Sequence, residues 1–219
     1  FNCLIRNVGM DTLKNVYIGM MVDGDVYGSV DPWSGFNDDI TGFRSMSIQP
    51  PSTGCEPGTD SLPVAWIADN DGDLDEAIPC KAVTGVVLIH TPPGANDISY
   101  NWWVSNGIPS LDFGPRMKSN LREFGTGGVG TPVGDRNKYF MLRNGEIDYD
   151  MVLTASIPEN DPVWENPADR AIVDLLAQGY DTRYLLSFGP FDLAPQEEAP
   201  FVYAYVAGEN FNSIPGNIL

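Results

Sequence analysis

Turn-forming residues punctuate this chain so closely that short strands joined by loops are favoured over long helices. Of 219 residues, 23 are Gly and 18 are Pro. Proline removes a backbone donor and glycine weakens regular elements, so each cluster of them marks a bend. Between the breaks, apolar residues recur at every second position. Val16, Ile18, Met20 and Val22 share one face, with Tyr17, Gly19 and Met21 on the other, which is the pattern of a half-buried strand. The segment before it alternates Phe1, Cys3 and Ile5 against Asn2, Leu4 and Arg6, and Gly9-Met10-Asp11-Thr12 reads as a turn, so a hairpin is expected. Further strands are expected over Leu62 to Ala68, Ala82 to His90, Ser99 to Val104, Lys138 to Leu142, Arg183 to Phe188 and Phe201 to Ala207, with a Pro-punctuated bend from Gly189 to Glu198. One helix is expected, capped by Asn166, carried by Ala168, Ala171, Ile172, Leu175 and Leu176, and ended by Gly179. These elements predict one all-β domain over residues 1–219, an elaborated immunoglobulin-like β-sandwich with long loops and one short helix.

Composition then narrows the partners. The chain carries 30 Asp and Glu against 12 Lys and Arg, a formal net charge of -18. Nucleic-acid binding needs a basic face to displace counterions from phosphates, so that class is excluded. Acidity here does not mean disorder, because 42% apolar residues with 5 Trp, 9 Tyr and 10 Phe are ample for a core. No run of about 18 apolar residues is present, so no membrane insertion is expected. Phe1 to Arg6 reads as the middle of a strand rather than as a leader, and the chain is expected to be a piece of a longer polypeptide.

The most specific chemical signal is Asp69-Asn70-Asp71-Gly72-Asp73-Leu74-Asp75-Glu76. Calcium takes six to eight hard oxygen ligands, and carboxylates at alternate positions around a glycine turn fold back on one ion. Asp69, Asp71 and Asp73 have that spacing, with Asp75 or Glu76 left to complete the shell, so Ca²⁺ is the expected cofactor. Without a cation these carboxylates repel one another. A second acidic group, Asp23 and Asp25 at a strand end with Asp38 and Asp39 on a returning loop, could hold a second ion, remain as exposed turns, or join the first group.

Catalytic patterns are weaker. Paired carboxylates suit glycoside hydrolysis, but among thirty acids some pair meets the required spacing by chance. The single histidine, His90, closes a strand with no Ser or Cys nucleophile motif beside it, which argues against triad and histidine-rich zinc chemistry. Gly125-Thr126-Gly127-Gly128-Val129-Gly130 matches a dinucleotide fingerprint in letters only, since Thr131-Pro132 follows where a helix should open. Cys55 and Cys80 bracket the acidic run and are expected to form a disulfide in an oxidising compartment, leaving Cys3 free; reduced, buried thiols are the alternative. Trp102 and Trp103 point to opposite faces of a strand, so one ring belongs to the core and the other is a candidate platform for a sugar, although packing of both in the core is the favoured expectation.

Three stretches carry a resemblance. Asp11-Thr12-Leu13-Lys14-Asn15-Val16-Tyr17-Ile18-Gly19 with Val22-Asp23-Gly24-Asp25-Val26, then Ala65 to Asp73, and finally Leu186 to Pro195, resemble a domain of large secreted multidomain proteins of Bacteroidetes-like and candidate-phylum bacteria, often set ahead of a type IX secretion sorting domain. The resemblance implies an extracellular or cell-surface location and other domains of the same secreted protein as partners. The expected function is therefore a noncatalytic, calcium-stabilised module for adhesion, assembly or spacing. The alternatives are a carbohydrate-binding module taking glycans or cell-surface components, and a glycan-active hydrolase using paired carboxylates.

Overall fold

Alternation of apolar and polar residues gives eight strands in the computed structural model, which describes residues 1–26, 38–47, 61–69, 82–104, 134–156, 158 and 179–208. In chain order they are β1 (Asn2–Arg6), β2 (Leu13–Asp23), β3 (Asp39–Ser47), β4 (Ser61–Asp69), β5 (Val83–His90) and β6 (Asp97–Val104), then helices α1 (Asp135–Arg143) and α2 (Met151–Ser156), then β7 (Thr182–Leu193) and β8 (Glu198–Gly208). Two antiparallel sheets result, one ordered β1-β8-β5-β4-β3 and the other β2-β7-β6. Their inner faces share one core. Tyr100, Trp102, Tyr184, Leu186 and Phe188 of the smaller sheet meet Ile67, Val86, Leu88, Ala199 and Phe201 of the larger, and Val16, Ile18, Met20 and Val22 pack against them. Closing such a core removes apolar surface from water at about 25 cal/mol per Å², the main term holding sheets together.

The expected hairpin of the first two strands does not form. β1 pairs with β8 in the larger sheet, whereas β2 pairs with β7 in the smaller. The buried Asn7 causes the switch: its amide donates to the carbonyls of Asp11 at 2.8 Å and Leu193 at 2.9 Å, and its side-chain oxygen accepts from the Gly9 N–H at 2.9 Å. The chain is thereby turned across the sandwich rather than back along one sheet.

Two other expectations change. Lys138 to Leu142, read as a strand, lies in α1, where Asn137 and Met141, four residues apart, are the buried positions. Asp135 in the first turn and Arg143 in the last suit the helix dipole. A five-residue apolar run cannot by itself distinguish strand from helix. Of the bend expected from Gly189 to Glu198, Ala194 to Glu197 form the turn into β8, with the Glu197 N–H donating to the Ala194 carbonyl at 3.0 Å, whereas Gly189 to Leu193 continue β7. Val16 pairs with Phe191 and Ile18 with Phe188, so two residues, Gly189 and Pro190, oppose the single Tyr17. Proline is tolerated in such a bulge because no ladder hydrogen bond is required of it. Strand β3 had no counterpart in the sequence reading, and the helix expected from Asn166 lies outside the described residues.

On the far side of the smaller sheet, α1 rests against β7, β6 and β2. Gly19 makes room for it: a Cβ there would fall 2.5 Å from a Leu142 methyl and 2.8 Å from a Leu185 methyl. No helix among the described residues is long and apolar enough to cross a membrane.

Candidate metal centre

Four strands begin or end at one pole of the sandwich, and each delivers an acid there. Antiparallel pairing sets Asp23, the last residue of β2, opposite Arg183 near the start of β7. The same geometry sets Asp39, the first residue of β3, opposite Asp69, the last of β4. Asp25 follows β2 and Asp181 precedes β7. One carboxylate oxygen from each of Asp23, Asp25 and Asp181 lies within 4.8 Å of the others.

Arg183 is built into this group. Its Nε is 3.0 Å from Asp23 Oδ1, its Nη1 is 3.2 Å from Asp181 Oδ1, and its Nη2 donates to Asp181 Oδ2 at 3.3 Å. Burial pushes the Asp181 carboxyl above its ordinary range, Arg183 pulls it back, and the charges of Asp23 and Asp25 raise it again. One guanidinium therefore faces three carboxylates.

Behind the triad sits Asp39, fully buried. Its side chain accepts the Val26 N–H at 3.2 Å. Burial is the largest influence and pushes its pKa up to about 9, against the pull of the Val26 bond and with further upward pressure from Asp25, Asp38 and Asp69. The returning chain is fixed to the same strand by the Tyr180 N–H, which donates to the Asp39 carbonyl at 2.9 Å. Gly179 permits that approach: its φ is +89°, and a Cβ would overlap the Asp38 carbonyl.

The sequence paired Asp23 and Asp25 with Asp38 or Asp39, and the structure brings Asp181 to Asp23 and Asp25. Asp181 closes the triad, while Asp39 is a buried strand residue rather than part of an exposed turn. Asp25, Asp38 and Asp69 are electrostatic neighbours of Asp39 at this pole. Of the acidic run, Asp69 ends β4 at this pole, and Asp71, Asp73, Asp75 and Glu76 lie outside the described residues, as do Cys55 and Cys80. Cys3 is free. Asp181 and Arg183 were missed because their relevance depends on the pairing of β2 with β7, some 160 residues away in sequence. Their only local signal was a charged pair flanking the start of a strand.

Neither tryptophan offers a platform. Trp102 and Trp103 are 0% and 1% exposed, and the Trp102 indole donates to the Tyr149 carbonyl at 2.6 Å. β6 is buried on both faces, so the outward parity of one ring does not bring it to solvent. His90 is exposed at the opposite pole, where it borders a cavity of about 480 Å³ with Leu62, Leu88, Thr91, Asn96 and Ile98. No carboxylate or thiol lines that cavity among the described residues.

Carboxylates crowded at strand ends are hard oxygen donors, the chemistry that suits calcium. Compared with known proteins, the chain matches no family model, no curated protein and no solved structure.

Proposed function

We propose that the chain is a noncatalytic, calcium-stabilised β-sandwich module that serves adhesion, assembly or spacing in a secreted or cell-surface bacterial protein, with other domains of that protein as its partners. The observation that carries this reading is the convergence of Asp23, Asp25 and Asp181 within 4.8 Å at strand ends. A divalent ion there would turn the mutual repulsion of these acids into shared attraction and tie β2 to β7. The run from Asp69 to Glu76, which leaves β4 at the same pole, supplies further candidate ligands. The extracellular setting rests on the resemblance described above and on the acidic composition.

An immunoglobulin-like topology is the finer form of the fold reading. Two packed antiparallel sheets support it, but the pairing of the first strand with the last, β1 with β8, departs from the constant-type immunoglobulin order.

The test is thermal unfolding of chelator-stripped protein with and without Ca²⁺. Extracellular calcium modules bind at about 0.1 to 1 mM, and ligand at 100 times the dissociation constant adds about 2.7 kcal/mol. At about 2 to 4 °C per kcal/mol for a chain of this size, the melting temperature rises by about 5 to 10 °C. An unchanged melting temperature overturns the reading.

A further inference from the structure

Every sheet edge is a row of unsatisfied amides and carbonyls, and proteins blunt such rows with bulges, proline, charge or a cover. Three edges of this sandwich show how differently that is done. At the β6 edge, Tyr100 forms a parallel bridge with Ile147, donating to the Glu146 carbonyl at 2.8 Å while accepting from the Asp148 N–H at 3.0 Å. The β2 edge is irregular: its pairing with β7 shifts register between Leu13 and Val16 and again between Val16 and Ile18, and Asn15 has a φ of +52°. The β1 edge has neither device. Its pairing with β8 is regular from Asn2 to Arg6, with no proline and no bulge.

The alternation of hydrogen bonds identifies the open groups. Phe1 and Tyr203 exchange two bonds, and Asn7 donates to Glu197. Antiparallel strands alternate, so the odd residues of β1 face β8, and the N–H and C=O of Asn2, Leu4 and Arg6 point away from it. All three side chains are exposed. What satisfies such a row is another extended backbone.

We infer that β1 pairs with β1 of a second copy of this chain, antiparallel and two-fold symmetric about Leu4, to join the two larger sheets into one. The sequence is self-complementary in that register. Leu4, 59% exposed in the single chain, meets its own copy on the outer face. Cys3 meets Ile5 on the inner face, where both are only partly buried against the core. Asn2 meets Arg6, so no like charges oppose each other. Residues 1–10 contain no acidic side chain, so two chains of net charge -18 can approach along this strand with little local repulsion. The pairing does not depend on calcium.

The experiment is sedimentation equilibrium of the whole chain over a wide concentration range, repeated at raised salt. The expected result is a weight-average mass that climbs toward twice that of the chain at high concentration, and climbs earlier when salt screens the net charge. Leu4→Pro is the decisive variant, because proline is accepted on an edge strand when the missing N–H faces solvent, yet it removes the central donor of the proposed pairing. Leu4→Asp, which places two carboxylates face to face across the axis, serves if the proline variant does not fold. Either variant is expected to stay monomeric with an unaltered melting curve at low concentration. A wild-type chain that remains monomeric throughout, or a folded variant that dimerises as the wild type does, overturns the inference.

Discussion

The two poles of the sandwich handle their polar groups in opposite ways. Where β1 gives way to β2, Asn7 closes the turn with neutral bonds: two amide protons and one oxygen are matched by backbone groups within 3 Å. Where β2, β3, β4 and β7 begin or end, the polar groups are carboxylates, and the Arg183 guanidinium lies among them against Asp23 and Asp181. A neutral side chain can finish its hydrogen bonding inside the protein at small cost, whereas clustered like charges remain unbalanced until a cation arrives. The first pole is complete as folded. The second is where a change of pH or of ions should be felt.

The largest expected effect is on the acidic pole. In the calcium-free protein, Asp39 keeps its proton up to about pH 9 when folded and loses it near pH 4 when unfolded. Between those values unfolding releases a proton, so stability falls as pH rises, by up to about 1.4 kcal/mol per pH unit, and levels off once the folded carboxyl also ionises. Chemical unfolding from pH 5 to pH 8 should show that decline, and Asp39→Asn should flatten it while stabilising the protein at pH 8. Equal slopes in the two proteins would remove Asp39 from the account.

A smaller effect is expected at the neutral pole. Asn7→Ala leaves the Leu193 and Asp11 carbonyls and the Gly9 N–H without that partner, at a cost of about 2 to 3 kcal/mol. Urea unfolding with and without calcium checks the contrast: the loss should be the same in both conditions. A loss that calcium repairs would mean that the two poles are coupled.

How far all this was legible from sequence follows from the range of the interactions. Local alternation was enough for β2, where every second residue faces the core, and short apolar runs bounded by turn residues were enough for β4, β5, β6 and β8. It failed for Lys138 to Leu142, where a short apolar run has no distinguishing period. It also failed for Gly189-Pro190, whose bulge exists only because β2 lies alongside. Asp23 and Asp25 were identified by their position after a strand, whereas Asp181 and Arg183 required knowledge of which strand pairs with which. The burial of Trp103 likewise could not be read from parity, since parity gives the face and not what covers it. Asp39 was visible as an acid but not as a strand residue, because the alternation of β3 is interrupted by Gly42 and Arg44.

The central claim is that the acidic pole takes up calcium through the triad, and calorimetric titration of Ca²⁺ into chelator-stripped protein tests it most directly. Asp25→Asn is the matched variant, since Asp23 and Asp181 hold Arg183 in ion pairs whereas Asp25 can be neutralised without touching those contacts. The account predicts saturable binding at about 0.1 to 1 mM in the wild type and an affinity about tenfold lower in Asp25→Asn, equivalent to about 1.4 kcal/mol. No saturable binding in the wild type, or an isotherm unchanged by Asp25→Asn, would contradict it.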